Sequence, residues 1–244
     1  MKQYEAVIKA METKGGYATL GSLYSEVLKV PGVEWKTKTP FASIRRIVQD
    51  ERIFFKIRPG LWALKTYRDK LPFDILPIKD IPKQKQEEFS HTYFQGLLVE
   101  IGNLKEFETY VPNQDKNKIY LGKRLEEIIS VKDYYQFTYD RIIHRARTID
   151  VTWFNIRKMP SIFFEVEHAA DIYNSLLKFV ELQDFYTDFY IVASDIRKKE
   201  FESKLAFNAF RSIQKRTEFM SYDNVSEWHS KTYQITSFEN SIGM

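Results

Sequence analysis

Residues 149–168 read IDVTWFNIRKMPSIFFEVEH and decide the fold. Two runs rich in β-branched and aromatic residues, 150–154 and 162–167, flank a short segment that contains a lysine and a proline. This pattern predicts a β-hairpin. Because side chains alternate across a strand, Glu165 and Glu167 should lie on one face of the second strand.

The predicted hairpin brings together three carboxylates, those of Asp150, Glu165 and Glu167. Burying one unpaired carboxylate in such apolar surroundings costs roughly several kcal/mol, and three carboxylates close together would also repel one another. A hard divalent cation with oxygen ligands removes both difficulties. The sequence therefore predicts a site for a hard divalent cation.

An Asp at the start of one strand, followed after a hairpin by acid-x-acid on the next, resembles the PD-(D/E)xK nuclease superfamily and, within it, the restriction endonucleases. The third motif position is usually Lys; here it is Glu167, so the resemblance is to the E-x-E variant. It implies that Asp150 and Glu165 bind the metal together with the backbone carbonyl of Val166. In the common pattern the lysine amine helps to generate the attacking hydroxide. The resemblance therefore also implies that Glu167 or a second metal ion takes over this task.

A helix predicted at residues 87–104 carries Glu100 on its apolar stripe, so that this acid should face inward. In the nuclease superfamily an early helix often sends a glutamate into the metal site, so the resemblance makes Glu100 a further catalytic candidate. The alternative is a glutamate that reaches solvent at the edge of the stripe. His168 should point away from the site, as a supporting or helix-capping residue. The predicted order of helix, strand, hairpin, helix and strand is the α-β-β-β-α-β core expected of the superfamily.

The N-terminal residues predict a separate module of three helices and a two-stranded wing. The first helix should span about residues 3–13. The second should follow Thr19 as its N-cap, and the third should begin at Thr39-Pro40. The wing strands, 53–57 and 61–64, flank a tight turn. The TP-x-x-x-I spacing at 39–44 and the segment PGLWAL at 59–64 resemble the HARE-type winged helix-turn-helix.

In such a module the third helix enters the major groove and the wing touches the DNA backbone. A further basic segment, 140–147, precedes Asp150 and could hold phosphates. For the individual residues the alternative is a solvated helix surface or strand edge. The candidate DNA contacts are Ser43, Arg45, Arg46, Gln49, Lys56, Arg58, Arg145 and Arg147.

Charge and proline content predict the domain boundaries. Residues 1–86 hold 17 Lys and Arg against 9 Asp and Glu, whereas residues 87–244 hold 20 against 24. A basic module joined to an acidic one suggests that the first binds a polyanion. We therefore predict a DNA-binding domain at 1–68, a proline-containing linker at 69–86 and a nuclease domain at 87–244. Phe73, Ile75, Leu76 and Ile78 should hold the linker against one of the domains.

Composition excludes several classes of protein. The chain has no cysteine, which excludes disulfides, thiolate zinc sites and a cysteine nucleophile. No apolar window is long enough for a membrane span, and the N-terminus lacks a secretory signal, so we expect a cytoplasmic protein. No P-loop, H-E-x-x-H or G-x-S-x-G motif is present.

These features predict an α+β protein with an N-terminal winged helix and a restriction-endonuclease-like core. The expected function is a Mg²⁺-dependent type II restriction enzyme that cleaves double-stranded DNA. Residue types do not indicate the target sequence or a dependence on base methylation. Because a double-strand break usually needs two active sites, we expect a homodimer. The alternative is a non-enzymatic winged-helix regulator whose C-terminal domain dimerises or senses a ligand.

Overall fold

The computed structural model describes residues 1–35, 39–77 and 80–242. The chain divides into two compact units. The first comprises residues 1–82 and 226–244, and the second comprises residues 83–225. The sequence assigned all residues from 87 onwards to one domain, whereas the structure groups those after 225 with the N-terminal unit.

The described N-terminal residues of the first unit form three α-helices and a three-stranded antiparallel sheet of order β1-β3-β2. The C-terminal helix also belongs to this unit from residue 226 onwards. Thr19 caps the second helix, as expected, and its hydroxyl accepts a hydrogen bond from the Ser22 amide. The structure adds a short first strand that the sequence did not predict. The elements are α1 (Gln3–Glu12), β1 (Tyr17–Thr19), α2 (Leu20–Val27), α3 (Pro40–Val48), β2 (Phe54–Arg58) and β3 (Leu61–Leu64).

Most of the predicted linker, residues 69–82, belongs to the first unit, whereas residues 83–86 begin the first helix of the second unit. The linker forms short 3₁₀ turns at Lys65–Lys70 and Phe73–Ile75, and it buries Leu71, Ile75 and Ile81. Apolar side chains therefore hold it in place, as the sequence suggested. Phe73 is exposed, and Ile78 lies outside the described residues.

The second unit is built on a five-stranded mixed sheet of order β10-β9-β8-β7-β4. The strands β8, β9 and β10 run parallel, while β7 is antiparallel to both of its neighbours. A two-stranded ribbon, β5 with β6, lies outside this sheet. The elements are α4 (Lys83–Leu104), β4 (Glu108–Tyr110), β5 (Ile119–Tyr120), β6 (Lys123–Arg124), α5 (Asp140–Ala146), β7 (Val151–Phe154), β8 (Pro160–Glu167), α6 (Ile172–Val180), β9 (Asp188–Ala193), α7 (Lys198–Leu205) and β10 (Thr217–Ser221). The last helix, α8 (Tyr222–Ile242), has only its first four residues in this unit.

Alternation along β8 sends its side chains to two different layers. Phe163 packs in a buried cluster with residues of α6 and α7. Phe164 lies on the other face against Trp153, whose indole Nε1 donates to the Leu98 carbonyl of α4. The sheet is thus covered by helices on both faces, which explains the apolar runs of its inner strands.

The mixed α+β class and the order α4, β4, β7, β8, α6, β9 agree with the sequence-based prediction. Three segments differ. Residues 120–129, whose pattern indicates an amphipathic helix or an irregular insertion, contribute to the ribbon and form a short 3₁₀ turn. Residues 140–146 form α5 where a strand edge was considered. The helix α8 was not predicted, since its first turns carry few apolar residues at regular spacing.

Gly102 of α4 tests how closely this helix packs on the sheet. A Cβ at this position would lie 2.6 Å from Thr109 Cγ2 and 2.7 Å from Trp153 Nε1, and both residues are fully buried. Alanine gains about 1 kcal/mol of helix propensity, but overpacking costs about 1–3 kcal/mol. We expect Gly102→Ala to lower the free energy of unfolding in urea titrations. Equal or higher stability would contradict this packing.

Among the described residues, no helix combines the length and the apolar character required to cross a membrane.

Candidate active site

The hairpin of β7 and β8 positions the predicted acidic residues. Its strands pair antiparallel with Val151 opposite Phe164, which places Asp150, just before β7, beside the end of β8. The backbone amide of Val166 donates to Asp150 Oδ2 at 2.7 Å. Asp150, Glu165 and Glu167 are 9%, 2% and 6% exposed. The three carboxylates are therefore buried together at one end of the hairpin.

Glu165 and Glu167 share one face of β8, as alternation predicted. Ser175 of α6 identifies this face, because its Oγ lies 3.1 Å from Glu165 Oε2 and also within hydrogen-bonding distance of Glu167 Oε1. A hydroxyl has one proton, so Ser175 can donate to only one carboxylate at a time.

Lys178, also on α6, supplies an amine to this centre. Its Nζ donates to Glu165 Oε1 at 2.9 Å and to Oε2 at 2.8 Å. The expectation that the site lacks an amine is wrong: the amine comes from a helix and not from the third motif position on the strand. Lys178 is one turn after Ser175, so a single helix face provides both side chains.

A second basic side chain of the centre, that of His91, comes from α4. Its Nε2 lies 3.1 Å from Asp150 Oδ2. Burial lowers the pKa of His91, but the charge and the hydrogen bond of Asp150, together with the charge of Asp115, outweigh burial and leave that pKa above its usual value. Asp150 and Glu165 thus each face a basic group of the chain itself.

Burial and mutual charge set the protonation of the centre. Burial raises the pKa of Asp150, but His91, Lys178 and the Val166 amide outweigh it, so this pKa lies below its usual value. Burial and the charge of Asp150 raise the pKa of Glu165 well above its usual value, and Lys178 offsets this only in part. Burial also raises the pKa of Glu167. The centre is rich in negative charge and short of cations.

The acidic residues line a cavity of about 370 Å³. Its walls come from α4, the loop before β5, the end of β8 and α6. Within the described part of the chain, no three His, Asp or Glu side chains are close enough together to hold a metal ion among them. The lining residues are Glu87, Glu88, His91, Gln114, Asp115, Lys118, Asp150, Glu165, Val166, Glu167, His168, Ala169, Ala170 and Lys178.

A family model described as the type II restriction enzyme NmeDI C-terminal domain matches residues 75–242 of the chain. The chain belongs to this family. Every residue that lines the cavity lies within the matched range, whereas most of the N-terminal unit lies outside it.

A curated relative is similar over part of the chain. The type II restriction enzyme NmeDI of Neisseria meningitidis serogroup C is 23% identical over 150 residues, which are 57% of this chain and 42% of the relative. The chain thus spans less than half the length of this relative. No solved structure matches the chain.

Glu100 and His168 do not lie where the sequence predicted. Glu100 does not line the NmeDI-family cavity, and its Oε2 accepts a hydrogen bond from the Tyr120 hydroxyl. The residue of α4 that contacts the Asp150 carboxylate is His91, more than two turns earlier. His168, which was expected to point away, lines the cavity, and its Nδ1 lies 3.0 Å from the Tyr222 hydroxyl.

The predicted DNA contacts have different environments. On α3, Ser43 is half-buried; Arg45, Arg46 and Gln49 are exposed, as are Lys56, Arg145 and Arg147. Arg58 is the exception, because it is 4% exposed and its Nη2 donates to the Asp74 carbonyl at 2.7 Å. Phosphate contact by Arg58 is therefore wrong for this conformation: the side chain anchors the segment after the wing.

Four polar residues around the acidic centre were not predicted from the sequence: Ser175, Lys178, His91 and Gln95. Gln95 is fully buried, and its Nε2 donates to the Asp150 carbonyl at 3.0 Å and to Asp115 Oδ2 at 2.8 Å. One signal was available: His91 and Gln95 are polar residues spaced four apart on a mostly buried helix, which places them on one face.

Proposed function

We propose that this chain is a metal-dependent endonuclease of the type II restriction class that hydrolyses phosphodiester bonds in double-stranded DNA. The observation that carries the proposal is the convergence of Asp150, Glu165, Glu167 and Lys178 on one cavity within the range matched by the NmeDI family. The acidic hairpin and its resemblance to PD-(D/E)xK nucleases support the same reaction class.

The donor set of the cavity suits a hard divalent cation. Asp150 and Glu165 provide buried carboxylate oxygens, and Val166 provides a backbone carbonyl between the two motif acids. Burial and, after it, the negative charges of Asp150 and Glu167 raise the pKa of Glu165, and a bound cation would favour its ionised form. Asp150, Glu165 and the carbonyl of Val166 would hold Mg²⁺ or Mn²⁺, once Lys178 moves away from Glu165.

Such an ion, when bound, polarises the phosphoryl oxygen and lowers the pKa of a coordinated water. The chain's own groups complete the chemistry. The charges of Glu165, Asp150 and Glu167 outweigh burial and raise the pKa of Lys178, so its amine stays protonated near neutral pH. In this protonated form it can stabilise negative charge on the phosphate. The raised pKa of Glu167 brings it closer to neutral, which suits proton exchange with water.

Plasmid digestion tests this proposal. We expect the full chain to cleave supercoiled plasmid or phage DNA with Mg²⁺ or Mn²⁺ and to lose that cleavage in EDTA. Sequencing the ends made from modified and unmodified DNA would give the recognition site and its dependence on modification. Absence of cleavage from a panel of phage genomes, at protein concentrations that bind them, would contradict the proposal.

One observation favours a second candidate, a winged-helix regulator without nuclease activity. Asp150 and Glu165 are already paired with His91 and Lys178, and the described residues contain no acidic or histidine trio spaced for a metal. A regulator would bind DNA equally well with EDTA and with Mg²⁺, and would leave it uncut.

For the nuclease, two active sites in a homodimer would make the double-strand break.

A further inference from the structure

A polar chain on the cavity wall links Lys118 to Asp150. Lys118 Nζ lies 2.6 Å from Asp115 Oδ1. The other carboxylate oxygen, Asp115 Oδ2, accepts from Gln95 Nε2, which also donates to the backbone carbonyl of Asp150. Lys118 is thus connected to the main chain of a proposed metal ligand through two buried side chains.

The base of Lys118 is fixed as well. Its backbone amide donates to the Asp115 carbonyl at 2.9 Å, and its carbonyl accepts from the Leu125 amide at 3.0 Å. The side chain of Asp115 is 3% exposed, whereas that of Lys118 is 29% exposed. The acid is therefore an internal anchor, and the amine remains accessible from the cavity.

The cavity wall carries an excess of negative charge, which the amine of Lys118 partly compensates. Six carboxylates line it against two lysines, and Lys178 already contacts both oxygens of Glu165. A DNA phosphate that approaches such a wall is repelled unless a cation compensates. An ammonium has three donors, so Lys118 can contact Asp115 and still donate to an anion.

We propose that Lys118 binds a phosphate of the DNA backbone at the cavity, with Asp115 and Gln95 as positioning residues. This inference rests on the proposed function, because it takes DNA as the substrate of the cavity. The connection through Gln95 sets the distance between the bound phosphate and Asp150. It thereby places the neighbouring phosphodiester at the acidic centre.

The salt dependence of DNA binding tests the inference. Each phosphate contact contributes about 0.9 to the slope of log K against log salt. Affinity of the full chain for a duplex oligonucleotide would be measured in EDTA between 50 and 200 mM KCl. We expect the slope of Lys118→Gln to be smaller by about 0.9, so that wild type loses about 3.5-fold more affinity over this range. Lys118→Arg should keep the wild-type slope.

Lys116→Gln is the matched control. Lys116 lies two residues away on the same loop, its amine donates to the Lys132 carbonyl, and it does not line the cavity. Its slope should equal that of wild type. A wild-type slope for Lys118→Gln, or an equal loss in both variants, would overturn the inference while plasmid cleavage by wild type still supports the nuclease. Failure of wild type both to bind and to cleave DNA would overturn both proposals.

Discussion

Asp150→Asn is expected to lower Mg²⁺-dependent DNA cleavage by roughly a thousandfold or more. The reason is that this substitution removes an anionic ligand from the proposed metal centre. Metal-ion catalysis supplies several kcal/mol of charge stabilisation, and about 1.36 kcal/mol corresponds to each factor of ten in rate. Single-turnover cleavage of a plasmid by wild type and variant would measure the loss.

Asparagine is a suitable replacement because it keeps the local hydrogen bond. Its side-chain oxygen can still accept from the Val166 amide, as Asp150 Oδ2 does. We therefore expect the folded structure and the affinity for DNA in EDTA to stay close to wild type. Cleavage within about tenfold of wild type would show that Asp150 is not part of the reaction centre.

Lys178→Met should reduce both cleavage and stability. Losing one donor aimed at developing negative charge costs about 10²–10³ in rate. The substitution also leaves Glu165 buried without its partner, and breaking a buried ion pair costs up to about 3–5 kcal/mol. Because Lys178 is 23% exposed, the lower end of that range is expected. Single-turnover cleavage and urea unfolding would give the two effects separately.

A double variant separates the structural role of Lys178 from its chemical role. In Lys178→Met with Glu165→Gln, both members of the buried ion pair are neutral, so much of the lost stability should return. Cleavage should fall below that of Lys178→Met, since a metal ligand is also lost. If Lys178→Met cleaved DNA as fast as wild type, the amine would have no part in the reaction.

The acidic hairpin could be predicted because its determinants are local. The two-residue alternation of side chains along strand residues 162–167 fixes which of them share a face. This alternation does not depend on which helix packs on the sheet. The same reasoning identified the capping by Thr19 and the short wing strands. Agreement between local pattern and final structure is strongest in these elements.

The basic partners could not be predicted, because they depend on how helices cross the sheet. Lys178 and Ser175 read as the polar side of an amphipathic helix, and only the packing of α6 beside β8 brings them to Glu165 and Glu167. On α4, the choice of Glu100 was reasonable from the apolar stripe. The side of this helix that meets Asp150 is set by its tight contact with Trp153 at Gly102.

The burial of Arg58 could not be predicted from the sequence for a different reason. An arginine beside a Pro-Gly turn is usually exposed, and the sequence gives no sign that the following segment covers it. The buried residues Leu71 and Ile75 hold that segment in place, so the Asp74 carbonyl becomes the partner of the guanidinium. Such burial depends on contacts made by residues far along the chain.

Calorimetric titration with Mn²⁺ tests most directly whether Asp150 and Glu165 form one metal centre. We predict that the full chain binds Mn²⁺ with a saturable heat that disappears in Asp150→Asn and in Glu165→Gln, while Glu100→Gln, away from the cavity, behaves as wild type. A wild-type chain that binds no Mn²⁺ with or without duplex DNA, or variants that bind it unchanged, would contradict the account.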